Sequence, residues 1–151
     1  MSYSLPTLPL DQDDAAVPRR QRVVTGRLLP AGLAAAVVAI VANGLLRLIA
    51  RGPLDVSPAF EPLRWGSVIA ASIVGIAGAT VVLAILARTS SRPIRLFTIV
   101  AAVVLVLSLG GPLSMRSEPG GSTSAVLVLA AMHVVTAAIA VGFLTTLTQQ
   151  R

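Results

Sequence analysis

Few side chains in the apolar parts of this chain can do chemistry. His133 is the sole histidine, set in the uncharged run from Ser124 to Thr148. Asn43 and Arg47 lie one helical turn apart in the first apolar run, and Ser72 and Ser108 occupy the two runs between. An amide, a guanidinium, an imidazole and two hydroxyls can hydrogen-bond, grip a small polar group or pass a proton. By spacing they form no catalytic set. No carboxylate lies inside an apolar run, no nucleophile has a base within reach, and Gly110-Gly111 and Gly120-Gly121 read as turn glycines rather than a phosphate loop. One histidine and no cysteine leave too few ligands for a metal or a haem. No cofactor and no enzymatic activity are therefore expected.

The elements that must position these residues follow from composition. Of 151 residues, 55% are hydrophobic and 12% charged, and mean hydropathy is strongly positive. Apolar runs of 18 or more residues cross a bilayer as helices, because about 20 residues at 1.5 Å each span its hydrocarbon. Lipid permits only helices and closed barrels, and these runs are continuous where barrel strands would alternate. The expected fold is all-α: an integral membrane four-helix bundle, up-down-up-down, in residues 25–151, with helices over about 28–50, 65–87, 93–110 and 124–148. Residues 1–24 are polar and punctuated by Pro6, Pro9 and Pro18, which predicts a disordered tail. The first run is too long for a signal peptide and is expected to be retained. Thr25 is a candidate cap for it, with Pro30 in its first turn. Trp65, the only tryptophan, opens the second run and suits an interfacial anchor.

Charge sets the orientation. All twelve basic residues are arginines. Arg19, Arg20, Arg22, Arg27, Arg88, Arg92, Arg95 and Arg151 flank one side of the predicted spans, and Arg47, Arg51, Arg64 and Arg116 the other. The positive-inside rule then predicts cytoplasmic termini, in a bacterial inner membrane. The basic cluster Arg19, Arg20, Arg22, Arg27, Arg88, Arg92 and Arg95 would face anionic lipid headgroups, so the net charge of +6 is no sign of nucleic-acid binding.

With that topology, Asn43 sits about 10 Å inside the outer end of its helix and His133 about 13 Å inside. Ser72 falls at a comparable level and Ser108 nearer the outer end of its helix, so four residues remote in sequence form one polar layer in the outer half of the bundle. Polar groups in hydrocarbon turn inward and pair, and the simplest outcome is that His133 and Asn43 bond to each other, or to the hydroxyls, and hold the helices in register. A cavity binding a small molecule, ion or proton is the alternative. Arg47 could snorkel, pair with Asp55 or Glu61, or recognise an anion at the cavity mouth. Small residues at helical spacing allow close helix approach. They are Gly32, Ala36, Ala39 and Asn43 in the first helix, Ala71, Gly75 and Ala79 with Ser72 and Gly78 in the second, and Ala130, His133, Ala137 and Ala140 in the fourth.

Four local patterns carry a resemblance. They are the arginine-flanked first helix with Asn43, Pro-Leu-Arg-Trp-Gly at Pro62 to Gly66, Leu-Ser-Leu-Gly-Gly-Pro at Leu107 to Pro112, and the Met132-His133 pair. Through these, residues 25–148 resemble a family of small four-helix membrane proteins of unknown function, mostly actinobacterial. The resemblance implies an integral membrane protein and no particular activity. The longer first outer connector with its tryptophan is similar in architecture to claudin-like proteins, whose paired cysteines are absent here. The leading expectation is a non-enzymatic scaffold or accessory subunit, packed against itself or within a larger membrane complex. The alternative is a small oligomeric transporter or channel that uses the polar layer.

Overall fold

The structure, a computed structural model, describes residues 23–149. The predicted disordered tail and Arg19, Arg20 and Arg22 lie almost wholly outside the described residues. Five α-helices follow in order: α1 Leu28–Arg51, α2 Trp65–Thr89, α3 Pro93–Ser108, the short α4 Gly110–Ser114, and α5 Thr123–Thr148. Four segments are long and apolar enough to cross a membrane: Thr25–Arg51, Trp65–Thr89, Pro93–Ser117 and Thr123–Thr148.

Local chemistry explains the ends. Ser122 caps α5, its side chain accepting from the Ala125 N–H at 3.1 Å. Pro93 takes the first position of α3, where a missing N–H leaves no bond unmade. Thr25 does not cap α1. It begins a single 3-10 turn, Thr25–Arg27, that runs into the helix. The Gly-Gly-Pro sequence also differs from expectation, because it kinks the third span rather than ending it. Pro112 has no N–H to offer the carbonyl of Ser108 four residues earlier, so α3 breaks there. The path then resumes as α4 and a 3-10 turn at Met115–Ser117.

The helices alternate in direction, and the two ends of the described chain lie side by side, with Val24 N–H donating to Thr148 O at 2.9 Å. α1 packs most extensively, against α5 and α2. Its buried line is Ala31, Gly32, Ala35, Ala39 and Asn43, which puts Ala35 at the centre where Ala36 was expected. The close approach at Gly32 is real: a Cβ there would lie 2.7 Å from Thr80 Oγ1 on α2. α3 is the exception, with only Pro93, Ile94 and Phe97 buried, all near its start.

Three apolar clusters divide the bundle along its length. Leu28, Ala31, Leu83, Phe97 and Leu144 fill the end that holds the termini. Ala35, Ala39, Ile76 and Ala140 occupy the middle. At the far end the connector between α1 and α2 folds inward, burying Val56, Phe60 and Leu63 against Val68, Ala125, Val128 and Met132. Arg51 holds that connector down by donating to the carbonyls of Val56, Ser57 and Phe60. Gly120, at φ +77°, brings the last connector against it; a Cβ there would lie 2.7 Å from Phe60 N.

Candidate functional site

Because α3 stands away from its neighbours beyond Phe97, a cavity of about 540 Å³ remains between α2, α3 and α5. Small side chains make the space. Gly75, Gly78 and Ala79 from α2 and Ala137 and Ala140 from α5 line it, facing Val100, Ala101 and Val104 of α3. Where α2 and α5 do touch, the approach is close, since a Cβ on Gly75 would lie 3.3 Å from Thr136 Cγ2. The exposed lining residues are Ala71, Val74, Gly75, Gly78 and Val104, so the mouth opens sideways between α2 and α3. A sideways mouth on a membrane-spanning bundle faces acyl chains rather than water.

Asn43, Ser72, Ser108 and His133 all line this one cavity. Asn43 is 3% exposed, although it belongs to α1 behind the α2–α5 wall. Its Nδ2 donates to Ser72 Oγ at 3.0 Å and to Thr136 Oγ1 at 2.9 Å, joining three helices at one amide. Ser72 in turn donates its proton to Val68 O at 2.8 Å, so towards Asn43 it can only accept. With its nitrogen towards Ser72 and Thr136, Asn43 Oδ1 is left buried with no hydrogen-bond partner. An unpaired buried acceptor is costly, which makes this atom the point of highest chemical demand in the bundle.

Of the two pairings expected from the sequence, Asn43 takes the one with a hydroxyl, at Ser72, and His133 does not bond to Asn43. Its Nδ1 lies 2.8 Å from Leu129 O, the carbonyl one turn back on its own helix. A carbonyl only accepts, so Nδ1 carries the proton and, in the neutral ring, Nε2 keeps a free lone pair. The residue that meets Asn43 from α5 is Thr136, which the sequence reading missed. Thr136 lies three residues beyond His133 and so shares its face, a spacing that was open to inspection. Ser108, where α3 ends, donates to Leu105 O at 2.8 Å.

Arg47 is absent from the lining. Its Nε donates to Leu63 O at 2.8 Å, and its guanidinium carbon sits 4.2 Å from the centre of the Trp65 ring. The arginine thus ties the outer connector to the start of α2, and it neither joins the polar layer nor pairs with Asp55 or Glu61. Cation–π stacking and a carbonyl acceptor satisfy it nearer than either carboxylate. Trp65, half exposed at the first position of α2, serves as its platform. Arg27, Arg88, Arg92 and Arg95 are exposed at the end of the bundle that holds the termini. Among the described residues no three His, Cys, Asp or Glu side chains gather as a metal site would need.

The sequence profile of DUF6069, described as a family of unknown function, matches residues 19–150. The chain belongs to that family. The match spans all four membrane-length segments, and with them every wall of the cavity. No curated protein and no solved structure matches the chain. For this DUF6069 member the site must speak through its chemistry. The cavity wall carries no Asp, Glu, Lys or Arg, and its polar side chains are Asn43, Ser67, Ser72, Ser108, His133 and Thr136.

Proposed function

We propose that this chain is a non-enzymatic, multi-pass membrane protein that holds one small lipophilic molecule between α2, α3 and α5. The observation that carries this reading is the 540 Å³ cavity with Asn43 in its wall, whose Oδ1 is buried without a hydrogen-bond partner. Ligand sites are typically concave spaces of about 300–1,000 Å³, mostly apolar, with a few convergent polar groups that fix orientation. A lateral mouth suits a ligand that partitions into the bilayer first and reaches the site from there.

A scaffold or accessory subunit would need its small-residue stripes free for outside partners. Here Gly32 and Ala39 of α1 are buried within the bundle and Ala137 and Ala140 of α5 face the cavity, which leaves only the α2 stripe exposed, at the cavity mouth. A continuous pore would have to pass the Leu83, Phe97 and Leu144 cluster, which fills the end holding the termini. Binding, as in a carrier or a sensor, is what these features favour.

Gly78→Phe tests the proposal. A Cβ at Gly78 meets nothing within 4 Å, so the ring enters the cavity without a clash at its root. In native mass spectrometry of protein extracted gently from the membranes that produced it, the parent should retain a bound lipophile and Gly78→Phe should lose it. Equal occupancy in the two, or a parent that carries a stoichiometric protein partner and no small molecule, overturns the reading.

A further inference from the structure

We infer that the molecule the cavity selects is an uncharged lipophile bearing a hydroxyl group, an alcohol or a phenol, which donates to Asn43 Oδ1. The inference rests on the binding reading above and specifies its ligand class.

Three observations converge on that class. First, the wall has no charged side chain, so neither a carboxylate nor an ammonium group would find a counter-ion. Second, the one polar side-chain atom buried without a partner among the described residues is an acceptor. Asn43 Oδ1 is buried and unpaired, with its amide nitrogen turned to Ser72, which gives its own proton to Val68 O. His133 gives its Nδ1 proton to Leu129 O, and Ser108 gives its own to Leu105 O, so neither proton is free for a ligand. Third, the Thr136 hydroxyl stands beside Asn43, accepting from Nδ2 at 2.9 Å. A ligand hydroxyl is the smallest neutral group that can give a proton to Asn43 Oδ1 and still accept one from a neighbouring hydroxyl such as Thr136. Ethers and ketones would leave Asn43 Oδ1 unpaired.

The rest of the wall takes the ligand's body. Val74, Val100, Val104 and Leu105 offer aliphatic surface along the mouth, and Phe97 closes the cavity towards the end that holds the termini. The ligand would therefore lie along the bundle axis, its hydroxyl at the level of Asn43 and its hydrocarbon against α3.

The test compares matched ligands on the full chain in phosphatidylcholine nanodiscs. Labelled hexadecanol is the probe, with hexadecyl methyl ether, palmitate and hexadecylamine as competitors. Saturable hexadecanol binding is expected, with the methyl ether at least about tenfold weaker because it leaves a buried acceptor unpaired. Palmitate and hexadecylamine should compete more weakly than the ether. Asn43→Leu should erase the preference for alcohol over ether while circular dichroism shows the helices intact. Should that variant fail to fold, Thr136→Val serves in its place, and it should narrow the preference. If ether and alcohol bind equally to the parent, the hydroxyl assignment is overturned while the binding reading stands. If no ligand binds saturably and Gly78→Phe changes nothing, both fall. A water molecule held at Asn43 in place of a ligand hydroxyl would give one of these two results.

Discussion

Replacing Asn43 by leucine separates a binding site from a structural clamp, because the two roles predict opposite signs. The parent amide makes two interhelical bonds, to Ser72 and Thr136. Such bonds inside membrane proteins average about 0.6 kcal/mol, so losing both costs about 1.2 kcal/mol. Leucine also removes the unpaired Oδ1, whose burial without a partner costs about 1–3 kcal/mol. Ser72 keeps its bond to Val68 O, so one of the two hydroxyls left behind is still satisfied. The balance puts ligand-free Asn43→Leu between unchanged and about 2 kcal/mol more stable than the parent. Reversible unfolding in bicelles, by SDS titration or steric trapping, measures this directly. Adding hexadecanol should stabilise the parent and leave the variant unmoved. A ligand-free variant destabilised by more than about 1 kcal/mol would refute the reasoning, since Asn43 would then be fully satisfied in the resting protein and its amide simply a tie between helices.

Three further outcomes test the frame around the site. Gly32→Ala should destabilise the bundle by about 1–3 kcal/mol, because its Cβ would meet Thr80 Oγ1 at 2.7 Å, while Gly66→Ala, with nothing within 4 Å, should be near neutral in the same unfolding assay. Arg51→Met should speed amide hydrogen exchange in the 52–64 connector by lowering its local opening free energy about 1.5–3 kcal/mol, leaving the middle of α1 and α5 unchanged. The cysteine-free chain allows single Ser57→Cys and Ser90→Cys variants, and a membrane-impermeant maleimide on intact cells should label position 57 alone. Labelling at 90 instead would reverse the proposed orientation.

The spans were legible because each is one unbroken apolar run, and the structure moves their ends by only a few residues. The polar residues were legible one by one but not as a network. Helical rise assigns Asn43, Ser72, Ser108 and His133 to the outer half of the bundle, whereas pairing depends on rotation about each helix axis, which weak amphipathicity leaves open. In lipid, polar and apolar faces need not separate, so a helix as uniformly apolar as α5 gives little sign of which side faces in. Thr136 was lost for that reason, and His133 found its partner on its own helix. Arg47 went astray for another. Its neighbours Leu63 and Trp65 reach it only through the fold of the connector, and nothing in the spacing foretold that Arg51 would hold that connector against the bundle.

The size of the cavity constrains how tightly it can bind. At about 24 cal/mol per Å³, a dry void of 540 Å³ would cost on the order of 13 kcal/mol, comparable to the whole stability of a typical domain. A space of that kind with a mouth onto acyl chains is therefore lined by a lipid tail whenever nothing else enters it. Any ligand then exchanges one hydrocarbon for another, and apolar contact contributes little to the difference. What remains to discriminate is the polar wall, chiefly one acceptor on Asn43. Selectivity of about tenfold to a hundredfold over an acyl chain is all that a single such bond supports. A site built this way releases its ligand as readily as it takes it, which suits transfer or sensing of an abundant membrane component better than storage. It also explains why small residues face α3 along both α2 and α5: larger ones would have closed the helices together and covered Asn43 from the bilayer.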